Sequence, residues 1–395
     1  MNKALPSANP PSGGVLEPIS LDEFFNDYWE QKPLHIARPN TNPFSTLVSI
    51  ESIEALISTN SISYPTIQLS HAGQVIPVSN YTDDDQLIVP NRLIEHYRNG
   101  STIVVSHAHR LVTNLMSLCR AIQASLMMRC QTNVYLSPAG NQGFNPHYDT
   151  HDVFILQVSG KKTFNFYSMG ANFPTSADRF NREVHEIGEK TEQIELSAGD
   201  TLYIPRGVVH DAIADTVQPS LHVTLGVYPV LMHTLINEIT QLALESDPAI
   251  RRAIAQSAWT KDVSAEATTQ AIKDTLSRHV RTDVVEVAME RLRDELALDA
   301  IQDSSGLLAN TNGSTLQPDT RLVINKAKVL RVDRIQHTVK LRTFGQIASF
   351  SDPLAAAVEW LLAQSTARPQ DIPSLDQSQQ LALVEQLLAL DVIST

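Results

Sequence analysis

The stretch NPHYDTHDVFILQVSGKK places His147 and Asp149 one residue apart at the start of an apolar, strand-like run. Successive side chains of an extended chain point to opposite faces, so positions i and i+2 share a face and can bind one metal ion. A third ligand must come from elsewhere. Sixty-one residues after Asp149, the block GDTLYIPRGVVHDA supplies it: a short strand ends in a Pro-Arg-Gly turn and delivers His210. Two histidines and one carboxylate, with the remaining coordination positions open, are the donor set of non-haem Fe(II) oxygenases. A His-x-Asp triplet alone is common at surface turns. The strand context and the block GD-x-L-x-IP-x-G-x-x-H are what give it weight here.

A co-substrate site follows the Gly160 turn. In KKTFNFY, Lys162 shares a strand face with Phe164 and Phe166, whereas Lys161 shares one with Thr163, Asn165 and Tyr167. Lys162 is therefore aimed at an apolar interior, where an ammonium is costly unless paired. No carboxylate close in sequence offers itself other than the metal ligand. A dicarboxylate chelating iron at one end would bring its other carboxylate to such a lysine; the competing expectation is that Lys162 snorkels to solvent. A zinc cupin, such as a sugar-phosphate isomerase, is the rival for the metal site, and the internal lysine separates the two. Asn133 in TNVYLSP and Thr224 in SLHVTLGV are polar residues on neighbouring strands that could complete the anion pocket. His151 falls on the His147 face and competes as a ligand, but three ligands from one strand would leave His210 unexplained, so a place behind the metal or facing substrate fits it better. His107 and His109 precede an apolar helix and read as capping or surface residues. His222 reads equally well as a hydrogen-bonded core histidine.

The elements that must position these residues change character along the 395-residue chain, which exceeds the size of one hydrophobic core. Residues 1–15 read as a disordered tail without the apolar segment of a signal peptide. LDEFFNDYWEQKPL predicts a helix carrying Phe24, Phe25, Tyr28 and Trp29 that stops at Pro33. ISYPTIQLS and QVIPVS predict short strands, and 91–131 a mostly helical stretch. Between 132 and about 230, short apolar runs broken by Gly, Pro and Asn predict an all-β unit. HTLINEITQLALES, PAIRRAIAQSA, EATTQAIKDTLSRHV and VVEVAMERLRDELAL then show helical periodicity. After a polar linker, two strand-like and two helix-like segments suit a winged-helix-like unit. That last unit, from 316, holds eight Lys and Arg against eight Asp and Glu. Its neutrality favours a packing or docking module over nucleic-acid binding. The formal net charge of −13 likewise argues against general phosphate-backbone binding. Cys119 and Cys130 read as reduced, buried thiols, no run is long and apolar enough to span a membrane, and the expected location is the cytoplasm.

With these motifs the chain resembles the JmjC-type ribosomal oxygenases, a cupin branch of the 2-oxoglutarate oxygenases. The resemblance runs from about residue 16 onward and rests on FFNDYWEQKPL, HYDTHDVFILQVSGKK, GDTLYIPRGVVHDA and SLHVTLG. It implies an α+β multi-domain chain: a double-stranded β-helix (cupin/JmjC jelly roll) with N-terminal helices over 16–230, a helical dimerisation domain and linker over 231–312, and a C-terminal winged-helix-like domain over 313–395. It further implies Fe(II) held by His147, Asp149 and His210, 2-oxoglutarate bound by Lys162 with Asn133 and Thr224, O2 as oxidant, a homodimer, and hydroxylation of an Arg or His side chain of a ribosomal protein or other polypeptide. Two departures bear on the substrate. Gly226 stands where some relatives carry a serine, and an Arg/Trp-rich strand is altered to KKTFNFY. A biosynthetic hydroxylase of a peptide natural product and a non-enzymatic cupin/winged-helix regulator are the competing readings.

Overall fold

Runs of β-branched and aromatic residues cut by turn formers are the composition of short antiparallel strands, and in the computed structural model they form the first of two compact units, which ends at Tyr228. The structure describes residues 14–59, 61–254, 265–302 and 316–395. The predicted tail up to residue 13, the end of the segment PAIRRAIAQSA and most of the polar linker lie outside the described residues.

The strands of this unit are β1 (Leu34–Ile36), β2 (Ile67–His71), β3 (Gln74–Val75), β4 (Thr102–Val105), β5 (Arg129–Ser137), β6 (Asp152–Ser159), β7 (Lys162–Gly170), β8 (Lys190–Leu196), β9 (Thr201–Ile204), β10 (Val208–Ala214) and β11 (Ser220–Tyr228). Among the described residues they make one large sheet in the order β1-β9-β6-β11-β5-β4-β2-β3 and a small one in the order β10-β7-β8. Every pairing is antiparallel. Val153, Ile155, Phe164, Phe166, Leu196, Leu202 and Ile204 form the apolar filling between the two sheets, the arrangement of a jelly roll.

The N-terminal helix spans Leu21–Asp27, with the Ser20 hydroxyl accepting from the Glu23 amide as its N-cap. It ends before Tyr28 and Trp29, so the aromatic run continues past the helix. Phe24, fully buried, meets the Tyr203 ring edge-on at 4.9 Å, and Trp29 stacks on Tyr203 at 5.8 Å. Two further expectations are corrected. The stretch 91–131 contains β4, whose four residues are all buried: a short apolar run has no periodicity to tell strand from helix. In QVIPVS only Gln74–Val75 is strand, because Pro77 has no N–H to give to a ladder.

The second unit begins at Pro229. Helices Met232–Ser246, Glu266–His279 and Thr282–Leu298 are followed by two three-stranded sheets and by helices Leu354–Ala363 and Gln377–Ala389. Arg342, 0% exposed, joins the helix Thr282–Leu298 to the strand Thr338–Thr343: its guanidinium donates to Glu290, Asp294 and Asp333 at 2.5 to 2.8 Å. Among the described residues no helix is long and apolar enough to cross a membrane.

Candidate active site

His147 lies in an extended segment that pairs with His210 of β10: the His147 amide donates to the His210 carbonyl at 3.0 Å and the His210 amide returns the bond at 2.8 Å. The regular strand β6 starts only at Asp152, so the His-x-Asp pair sits just ahead of it, tied to β10 by this bridge, and the i, i+2 relation still sets both side chains on one face. One donor atom from each of His147, Asp149 and His210 lies within 4.8 Å of the others, with Asp149 Oδ2 3.9 Å from His210 Nε2. In both histidines Nδ1 is engaged by a backbone carbonyl, Asn145 at 2.8 Å and Val208 at 3.0 Å. Nδ1 is then the protonated nitrogen, and Nε2 keeps its lone pair for a metal. Burial, followed by the neighbouring His147, pushes the His210 imidazole down, which keeps it neutral. Burial would raise the Asp149 carboxyl, but His147, His210 and His151 outweigh it and hold the group ionised. A neutral His210 and an ionised Asp149 suit a divalent cation.

The turn that delivers His210 is anchored from behind. Tyr203 donates to Asp152 Oδ1 at 2.7 Å, and Arg206 donates to Asp152 Oδ2 at 3.2 Å while also pairing with Glu30. Gly207 must be glycine: its φ is +86°, and a Cβ would lie 1.9 Å from the Ala171 carbonyl oxygen. Its amide donates to the Asp149 carbonyl at 2.9 Å, tying the turn to the second ligand.

Lys162 crosses from the small sheet to the large one. It is 2% exposed, its ammonium donates to Ser137 Oγ at 3.0 Å, and among the described residues no carboxylate pairs with it. Burial alone brings its pKa down to about 7. The expectation that it snorkels is overturned. Ser137 in turn accepts from Thr102 at 2.9 Å. Beside them, Tyr135 stacks on His222 at 4.8 Å with an interplanar angle of 4°, and His222, pushed down by burial and then by Lys162, leaves its buried Nδ1 without a hydrogen-bond partner. Asn133 sits opposite Thr224 in the β5–β11 register; its Oδ1 accepts from the His107 amide at 3.0 Å. A buried cation without a carboxylate partner, beside one orphaned polar atom, suits an anion. Ser137, Thr102 and Tyr135 were not singled out from the sequence, although Asn133, Tyr135 and Ser137 share one strand face by the period of two.

Residues 105–235 match the family model of the JmjC domain. Among curated proteins the chain is 31% identical over 261 residues to the bifunctional lysine-specific demethylase and histidyl-hydroxylase NO66 of Drosophila grimshawi, covering 62% of this chain and 35% of that protein. It is 32% identical over 246 residues to the NO66 of Dictyostelium discoideum, covering 59% and 46%. The chain thus spans less than half the length of these relatives. Among solved structures it is similar in fold to Escherichia coli YcfD, with a TM-score of 0.57, 18% identity and coverage of 95% of this chain and 98% of that one. A further YcfD structure, described as a ribosomal oxygenase in complex with cobalt and 2-oxoglutarate, matches with a TM-score of 0.53 and the same identity and coverage.

The remaining histidines of the JmjC domain divide by environment. His109 is buried rather than on the surface: its Nδ1 accepts from the Thr132 amide at 3.2 Å, and burial, then Arg110, lowers its pKa to about 4. His107 is exposed and makes no side-chain capping bond. His151 is not part of the metal cluster. Its ring stacks on Tyr228 at 4.6 Å and presses on Gly226, where a Cβ would lie 2.7 Å from its Cδ2 and Nε2. The glycine therefore makes room for an imidazole that stands beside the ligand Asp149.

Proposed function

We propose that this JmjC chain is an Fe(II)- and 2-oxoglutarate-dependent oxygenase that hydroxylates an amino-acid side chain, Arg or His, of a ribosomal protein or other polypeptide. The observation that carries the reading is the fully buried Lys162 ammonium, without a carboxylate partner, in the same barrel as an open His-Asp-His cluster. A metal-only cupin has no need of that cation. Bound Fe(II) with 2-oxoglutarate and O2 supplies oxidation of a C–H bond, with 2-oxoglutarate converted to succinate and CO2. The chain's residues do the rest. His147 and His210 offer Nε2 lone pairs fixed by their Nδ1 bonds, and Asp149 offers its carboxylate. Lys162, held by Ser137, neutralises the distal carboxylate of the co-substrate, and Thr224 lies on the same wall. Asn133 orders that wall by accepting from the His107 backbone amide.

Support for a ribosomal substrate comes from the similarity in fold to E. coli YcfD, a ribosomal oxygenase, and support for a histidine target from the NO66 relatives, which are histidyl-hydroxylases. A homodimer through the helical segment is supported by the exposed apolar residues Met232, Ile236, Ile272, Leu276 and Val280. The two helices and two small sheets beyond residue 316 support a winged-helix-like docking module, neutral in charge, in a cytoplasmic protein. The test is 2-oxoglutarate turnover with Fe(II) on ribosomal-protein peptides, read by mass spectrometry for the gain of one oxygen atom. Hydroxylation of a short secondary-metabolite peptide instead would favour the biosynthetic reading, and absence of any turnover the regulatory one.

A further inference from the structure

A cavity of about 650 Å³ opens beside the metal ligand His147, and its lining includes Phe144, Asn145, Phe180, Arg179 and Arg182. It is a wide, open cleft rather than an enclosed pocket. One wall is the long connection between β7 and β8, and it is held in a defined place. Tyr148, the residue between the ligands His147 and Asp149, donates from its hydroxyl to the Asp178 carbonyl at 2.9 Å and lies 3.3 Å from His185 Nε2. Phe180 meets the Tyr148 ring edge-on at 5.2 Å, and His185 stacks on Phe180 at 5.5 Å. The facing wall is fixed by Asn145, which donates to the Gly73 carbonyl at 3.1 Å.

Arg179 and Arg182 are exposed, and among the described residues neither guanidinium has a carboxylate or any other hydrogen-bond partner. The nearby carboxylate of Asp178 is occupied by the amide and hydroxyl of Thr175 at 2.9 and 2.8 Å. In a chain of net charge −13, two uncompensated cations at the rim of the metal cavity attract an anion, and guanidinium is the group best shaped for a carboxylate. We propose that Arg179 and Arg182 form a subsite for an acidic side chain carried by the polypeptide substrate next to the residue that is hydroxylated. The inference rests on the polypeptide-hydroxylase reading above and names the chemistry of its substrate. A phosphate chain is the less suitable occupant: it requires an extended track of cations, whereas this cavity pairs two arginines with the aromatic faces of Phe144 and Phe180.

The test measures binding apart from catalysis. The full chain, loaded with Mn(II) in place of Fe(II), is applied to an array of fifteen-residue peptides tiling the ribosomal proteins, beside the Arg179→Gln/Arg182→Gln variant, whose fold is checked by circular dichroism and melting. The expected result is retention of peptides enriched in Asp and Glu. For the strongest of them, Glu→Gln or Asp→Asn in the peptide should weaken binding roughly tenfold, and the double variant should bind both peptide forms equally, since its partner charge is gone. Retained peptides with no acidic preference, a preference that survives in the variant, or no retained peptide at all would overturn the subsite. So would competition by a poly(U) oligonucleotide that disappears in the variant, which would give the arginines to a phosphate chain. The polypeptide-hydroxylase reading fails separately, if bound acidic peptides gain no oxygen when Fe(II), 2-oxoglutarate and O2 are supplied.

Discussion

Replacing Lys162 by Met removes an ammonium that the fold buries without a counter-charge, and it should move stability and ligand binding in opposite directions. Burial brings this lysine from its ordinary 10.5 to about 7. Between those values the unfolded chain binds the proton and the folded one does not, so the ligand-free protein gains stability as pH rises from about 7 toward 10.5 and is at its weakest below 7. The gap corresponds to roughly 3–5 kcal/mol at neutral pH, and Met, of similar length and apolar, should recover much of it. Ser137 keeps its bond from Thr102, so no new orphan is left there. Binding should go the other way: removing one partner of a buried charge pair costs about 3–5 kcal/mol, or at least a hundredfold in affinity for 2-oxoglutarate. Urea unfolding of the ligand-free proteins at pH 7 and 9.5, with calorimetric titration of 2-oxoglutarate into the metal-loaded forms, measures both. A variant that binds 2-oxoglutarate within threefold of the parent, or a parent with no rise in stability between the two pH values, would refute the reasoning.

Asp149→Ala should lower affinity for Co(II) or Fe(II) by at least roughly a hundredfold by equilibrium dialysis while leaving the melting temperature of the metal-free protein nearly unchanged, because the side chain serves the metal rather than the core. Gly226→Ser should destabilise the barrel by about 1–3 kcal/mol through collision with His151. The same change in a His151→Ala background should cost much less, a coupling that a double-mutant cycle of unfolding energies resolves. Arg342→Ala should destabilise the second unit by about 3–5 kcal/mol in denaturant titration, since Glu290, Asp294 and Asp333 lose their shared cation.

The metal cluster was legible because its logic is local: His147 and Asp149 need only the two-residue period of an extended chain, and His210 is announced by the turn before it. Lys162 was legible for the same reason, as the polar member of an apolar strand face. What surrounds it was not. Thr102, Ser137 and Lys162 lie on three separate strands, and their meeting depends on how the small sheet faces the large one, which no local pattern encodes. The buried state of His109 and the strand at Thr102–Val105 escaped notice because a short apolar run is as good a helix as a strand until its neighbours are known. Gly226 first registered only as a missing hydroxyl. The structure shows the other half of the exchange, a histidine seated where that side chain would be.

The central claim is that His147, Asp149 and His210 hold an iron that acts with the co-substrate bound at Lys162 to hydroxylate a polypeptide. It is tested most directly by measuring succinate formed from 2-oxoglutarate together with the oxygen gained by ribosomal-protein peptides, in the parent and in Asp149→Ala. The account predicts Fe(II)-dependent succinate in step with a one-oxygen product on a peptide side chain, both lost in the variant. Hydroxylation that persists in Asp149→Ala, or a metal-loaded parent that turns over no 2-oxoglutarate with any peptide, would contradict it.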